Sequence, residues 1–224
     1  MDVRIEELQE QGDATKKAVE DNRAKLDAKN FKQAKFDSFN SARTDLDAKD
    51  KAQTLSVEKA VSATSEKQNT KQEAISLIEK VGYTVKSATD DATEQKKFKI
   101  DESITGGYKG IIERCEYLDG LDEVSHTFLI DNGMTQEDID NIKAMPEKLR
   151  AANSAQIKAK KDQKTATEIR DAAAKVYKSE INKIRNFVKA NFPKDRAMLI
   201  AFEPVSKGGG RGGNDTPPPT PPAQ

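Results

Sequence analysis

The sequence predicts an all-α protein: two long antiparallel helical hairpins joined by short broken helices, followed by a C-terminal tail that is disordered or docked. Three observations carry that expectation. Of 224 residues, 34% are charged and 35% hydrophobic, against about a quarter charged and about 45–50% apolar, glycine counted, in ordinary domains; the core must be thin. The 38 basic residues balance the 38 acidic ones, which removes the high net charge that marks disorder. Apolar residues recur at helical spacing, with no Trp and only 5% aromatics, a profile of long solvated helices.

Residues 1–100 are read as the first hairpin. From Asp13 onward, Ala14, Ala18, Leu26, Phe31, Ala34, Phe39, Ala42 and Leu46 recur at helical spacing, which predicts a helix ending near Ala48. A second helix is expected from about Leu55 past Val81, with Val57, Val61, Ala74, Ile75, Ile78, Val81 and Val85 on its apolar side. Its middle, "SEKQNTKQE" from Ser65 to Glu73, holds no apolar residue and reads as a solvated arm of an extended hairpin.

Residues 101–142 are read as an acidic connector. Gly106, Gly107, Gly110, Gly120 and Gly133 break "GIIERCEYLDGLDEVSHTFLIDNGMTQEDI" into short helices. Thr135 followed by Asp138 has the spacing of a capping box, with Asp in the usual Glu place.

Residues 143–202 are read as a basic hairpin. Pro146 suits the first turn of a helix running to about Lys161. The stretch "KDQKTATE" reads as a turn, with Thr165 and Glu168 as a capping box. Ile169, Ala173, Val176, Ile181, Ile184, Val188 and Phe192 then form one stripe before Pro193 ends it. At about 1.5 Å per residue that last helix is roughly 40 Å long.

The halves look like copies. "KQEAISLIEKV" at Lys71–Val81 lines up with "KSEINKIRNFV" at Lys178–Val188, pairing Leu77 with Ile184 and Val81 with Val188; Asp91 and Phe98 fall opposite Asp195 and Phe202 after a small gap. The spacing predicts a duplicated helical hairpin.

From Pro146 to Gln224 the chain carries a Thr-initiated helix ending in a hydrophobic and basic stretch, then "PKDRAMLI", then a Thr/Pro tail. In this it resembles uncharacterised bacterial proteins built from tandem helical hairpins. Several of those carry Leu-Gly where this chain has Leu199 and Ile200. The resemblance implies a fold and no activity.

Charge is segregated. Between Asp101 and Ile142 stand 11 acidic and 2 basic residues; between Lys143 and Arg196 stand 15 basic and 6 acidic. Either the basic helices pack against the acidic segment of the same chain, or the acidic block of one molecule meets the basic block of another, head to tail. The partner-binding candidates follow from this. Lys158, Lys160, Lys161, Lys164 and Arg170 form the basic set; Glu113, Glu116, Asp119, Asp122 and Glu123 form the acidic set.

Little in the chain points to chemistry. One histidine, His126, and one cysteine, Cys115, leave nucleophilic and metal sites hard to assemble. The acidic set lacks calcium-loop spacing, and "DNGMTQEDID" places its glycine third where such a loop needs it sixth. No phosphate-cradling motif is present, since in "KGGGRGG" the lysine precedes the glycines. We expect no catalytic residue, no metal and no cofactor. A lone cysteine fits a reducing compartment, and no apolar run reaches the length of a signal peptide or membrane span; the expected location is the cytoplasm or a larger particle.

The tail, 203–224, combines a glycine joint with "TPPPTPP", which favours an extended polyproline conformation. It serves as a spacer or, through Pro217, Pro218 and Pro219, as a ligand for an aromatic groove. The composite expectation is a non-enzymatic structural or interaction protein that associates with copies of itself or a larger assembly. Two alternatives stand beside it: a nucleic-acid-associated protein using the basic hairpin, though no aromatic residues interleave there for stacking, and a membrane-active helical protein whose "SHTFLI" segment enters lipid.

Overall fold

A computed structural model describes residues 4–100, 102–104 and 106–204. Among these, all regular structure is helical: α1 (Ile5–Asp21), α2 (Arg23–Ala28), α3 (Gln33–Ala88), α4 (Ala92–Lys97), α5 (Gly107–Asp119), α6 (Glu123–Asp131), α7 (Gln136–Asn191) and α8 (Arg196–Ala201). The all-α class is as the sequence predicts, and α3 and α7 pack together.

The breaks in the chain differ from those expected. No helix ends near Ala48, because α3 runs unbroken for 56 residues; "KDKAQT" holds neither Gly nor Pro, and its Lys, Ala and Gln are good helix formers. The early break lies instead at Asn30, whose φ of 63° is the left-handed conformation that asparagine tolerates. The expected turn at "KDQKTATE" is also absent. Helix α7 continues through it for 56 residues, and Thr167 bonds back to the Gln163 carbonyl at 2.9 Å within the helix. Pro146 lies inside α7, not in its first turn, and the helix forgoes one backbone hydrogen bond there. Helix α7 begins where the Thr135 capping box is read: Asp138 N donates to Thr135 Oγ1 at 3.1 Å and Thr135 N to Asp138 Oδ2 at 2.8 Å.

The chain forms two compact units whose boundaries cut across the expected hairpins: the described residues of Met1–Asp50 with Ile169–Gln224, and Lys51–Glu168. In the first, α1, α2 and the start of α3 pack with the end of α7 and α8. Its core holds Leu8, Val19, Leu26, Phe39, Leu46, Tyr177, Ile181, Val188 and Phe202. Phe31 meets Phe187 edge-on at 5.0 Å, and Arg170 approaches Asp50 at 4.0 Å, so α3 and α7 run antiparallel here. Gly12 makes room for Tyr177: a Cβ on Gly12 would lie 1.6 Å from the Tyr177 hydroxyl oxygen.

In the second unit the rest of α3 meets α4, α5, α6 and the start of α7. Val81, Val85, Phe98, Leu118, Leu129 and Met134 form one cluster; Ala74, Ile111, Cys115, Met145 and Leu149 form another. Lys80 Nζ reaches Asp138 at 2.6 Å and Lys67 Nζ reaches Asn153 at 2.7 Å; the pairing is again antiparallel. Around Lys67 the arm is mostly exposed, as its polar sequence predicts.

The two units are built alike, each from parts of both sequence halves. Helices α3 and α7 start at Gln33 and Gln136 and end at Ala88 and Asn191, so one constant offset relates them. The buried residues obey it: Leu26 and Leu129, Phe39 and Ile142, Leu46 and Leu149, Ala74 and Tyr177, Val81 and Ile184, Val85 and Val188. The turns before the long helices match too. Phe31 N bonds Leu26 O at 3.0 Å and Met134 N bonds Leu129 O at 3.0 Å, with Gly133 (φ 111°) in the place of Asn30. Asp91 caps α4 and Asp195 caps α8, and Phe98 and Phe202 are buried behind them. The pairing read from the sequence at Asp91/Asp195 and Phe98/Phe202 therefore stands. The register read for the long helices, with Leu77 opposite Ile184, is four residues off, about one helical turn.

Candidate functional site

Lys158, Lys160, Lys161 and Lys164 all lie on α7 within the second unit and are exposed. Among the described residues no salt bridge engages them. Their geometry follows from helix periodicity: Asn153 and Gln156 turn towards α3, where both accept from Lys67 Nζ. Lys160, Lys161 and Lys164 follow Ile157 at i+3, i+4 and i+7 and so share its outward face. Ile157 is 61% exposed. The sequence reading omitted it, although an apolar residue spaced this way among lysines was the available signal. Arg170 does not belong to this face. It sits in the first unit, half-buried, bonded to Asp171 and close to Asp50.

The acidic set divides by role. Glu113 pairs with Lys109 at 3.3 Å. Glu116 pairs with Arg150, which joins the acidic and basic blocks within one chain. Asp122 caps α6, accepting from Ser125 N at 2.8 Å, and the Ser125 hydrogen bonds hold its carboxyl below the usual range. Asp119 is half-buried at the end of α5. Glu123 is exposed in the first turn of α6, where the helix dipole favours a carboxylate. Beside it Val124 is 77% exposed, and Glu123, Val124, Thr127, Phe128 and Asp131 line one shallow surface depression. Helix α6 thus presents an acidic face around an apolar residue, the counterpart of the basic face around Ile157.

Cys115 is 1% exposed, and burial, with the Glu116 charge, pushes its thiol up to about 11; a protonated thiol is a weak nucleophile. His126 Nε2 lies 3.0 Å from the Leu118 carbonyl. Among the described residues no group of His, Cys, Asp and Glu side chains is placed to hold a metal ion, and no helix is long and apolar enough to cross a membrane. Pro217, Pro218 and Pro219 lie outside the described residues. Comparison of the chain with protein-family models, with curated proteins and with solved structures finds no match.

Proposed function

We propose that this chain is a non-enzymatic interaction protein that associates with copies of itself, the basic face of α7 in one copy meeting the acidic face of α6 in another. The observation that supports this most is the unpaired lysine face around Ile157. Three exposed ammonium groups beside an apolar residue on one helix face suit a surface of opposite sign with an apolar centre. Helix α6 offers one, with Glu123 and Asp131 around Val124. Two different patches meeting in this way form a heterologous contact, which closes into a ring or continues as a filament.

Light scattering after size exclusion tests the reading. At about 0.01 M salt the Debye length is about 30 Å and at about 1 M it is about 3 Å. Oligomers at the lower salt that dissolve at the higher are expected. A monomer at both, at high protein concentration, overturns the proposal. Retention of nucleic acid by the monomer would reassign Lys158, Lys160, Lys161 and Lys164 to phosphate contacts.

A further inference from the structure

The two units share one plan, but the buried contacts that join the two halves of the chain differ between them. The offset that carries α3 onto α7 also carries α1 onto α5: Leu8 and Ile111 are both buried, as are Thr15 and Leu118. In the first unit α1 packs with the end of α7, and in the second α5 packs with the end of α3. Gly12 on α1 lies against the buried Tyr177 phenol. The equivalent places in the second unit hold Cys115 and Ala74, both in one buried cluster. In both units the second half supplies the larger side chain.

A second pair of positions differs in charge. Gln11 on α1 corresponds to Arg114 on α5, and Gly82 on α3 corresponds to Arg185 on α7. In the first unit Arg185, 8% exposed, donates through Nη1 to Gln11 Oε1 at 3.3 Å. In the second, Arg114, 9% exposed, lines one hollow with Gly82. Both guanidinium groups come from the second half.

These differences decide which halves fit together. Two second halves would set Cys115 against Tyr177, where even a Cβ on Gly12 would overlap the phenol, and overpacking of that kind is destabilising. They would also bring Arg114 against Arg185, whose Nε and Nη2 already lack an acceptor, and a buried charge without compensation is costly. Two first halves would set Gly12 against Ala74 and leave the volume of the phenol empty. A first half with a second satisfies both contacts and rejects both alternatives.

The same contacts form when the two halves belong to different copies. Within a chain the halves are joined once, between α4 and α5, where Glu102, Ser103, Ile104 and Gly106 are exposed. Lys99, just ahead, has a φ of 51°, a left-handed conformation unfavourable to lysine, and an opened connection lets it leave that conformation. We propose that the chain binds a second copy of itself by exchanging halves, the first half of each pairing with the second half of the other, and that the contacts of Gly12 with Tyr177 and Gln11 with Arg185 exclude pairs of like halves. Exchange of this kind closes into a dimer. It does not use the charged faces of α6 and α7, so it withstands salt that screens them.

The test uses full 224-residue chains, each with one added cysteine. Gln156 Nε2 donates to Thr64 Oγ1 at 3.2 Å across α3 and α7. A chain with Thr64→Cys and a chain with Gln156→Cys are therefore joined by a short bismaleimide when α3 of one lies against α7 of the other. Cys115 is buried and does not compete. Unfolded in urea, mixed and refolded at high concentration in about 1 M salt, where the Debye length is about 3 Å, the pair should give a covalent dimer on a denaturing gel. One chain carrying both substitutions should close on itself, which shows that the reagent spans the gap. By the offset, Thr167→Cys mixed with Gln156→Cys reports two second halves, and Thr64→Cys mixed with Gln53→Cys reports two first halves. Each of these should give about tenfold less dimer, or lower still. No covalent dimer from the Thr64→Cys and Gln156→Cys mixture overturns the exchange, and equal yields from the like-half mixtures overturn the rule of partners. Gly12→Cys with Tyr177→Ala moves the second unit's pair into the first; the double variant should lower the urea midpoint by less than the two single variants together, and strict additivity overturns the size rule.

Discussion

Replacing Thr165 by Ala separates a continuous α7 from a helix that restarts at Thr165, because the two arrangements give opposite signs. In the structure Thr165 is an exposed residue well inside a 56-residue helix. A β-branched side chain there loses rotamer freedom, and Ala is better by about 0.5 kcal/mol. Were Thr165 an N-cap, its hydroxyl would satisfy an orphan N–H at the helix start, and Ala would cost about 1 kcal/mol. Urea unfolding followed by far-UV circular dichroism reads the difference. With a slope of about 3 kcal/mol/M, a continuous helix predicts a midpoint about 0.2 M higher, and a helix start predicts one about 0.3 M lower. A lowered midpoint with an unchanged slope refutes the continuous helix.

Three further outcomes follow from individual contacts. Gly12→Ala places a methyl 1.6 Å from the Tyr177 hydroxyl oxygen and should cost about 1–3 kcal/mol in thermal or urea unfolding; an unchanged midpoint contradicts the packing. The Cys115 thiol, pushed up to about 11 by burial, should react with a disulfide reagent at pH 8 far more slowly in the folded chain than in denaturant, and equal rates would show it exposed. Asp138 is held below the usual carboxylate range first by its bond to Lys80 and then by the Thr135 backbone N–H. Its folded pKa lies below the unfolded value of about 3.9, so its contribution is complete above that pH and is lost as pH falls through the folded value. Asp138→Asn should therefore lower the melting temperature at pH 7 and leave a smaller gap at strongly acid pH; a gap that does not change with pH rules out the charge as the cause.

The helical class was legible because apolar spacing such as Ile181, Ile184 and Val188 reports burial directly. Helix ends were less so. Thr165 with Glu168 has the letters of a capping box, but only the conformation of the residues before it decides whether a helix starts there, and "KDQK" has no residue that stops one. At Thr135 the same pattern was real because Gly133 supplies the left-handed turn just ahead of it. The duplication was visible at Asp91 and Asp195, where a cap and a buried Phe share one short spacing. Along the long helices it slipped by a turn, since apolar residues recurring every three or four positions fit nearly as well one turn on. What neither half shows by itself is that each compact unit draws on both, because pairing Phe39 with Tyr177, or Lys67 with Asn153, depends on the tertiary course of α3 and α7.

For the candidate faces, composition located the charge but not its availability. The lysines from 158 to 164 and Arg170 look alike in sequence. The helix turns the former outward and sets Arg170 against Asp50 and Asp171. Glu116 similarly reads as a free acid until Arg150 is placed against it.

The most direct test of the proposed association exchanges the two charges. One variant carries Lys160→Glu, Lys161→Glu and Lys164→Glu; a second carries Glu123→Lys and Asp131→Lys. In the first both faces are acidic and in the second both are basic, so light scattering at low salt should find each variant monomeric. Mixed one to one, the acidic α7 face of the first suits the basic α6 face of the second, and the reverse contact matches too; the mixture should assemble as the parent chain does. Variants that each self-associate like the parent, or a mixture that stays monomeric while the parent assembles, would contradict the pairing of the α6 and α7 faces.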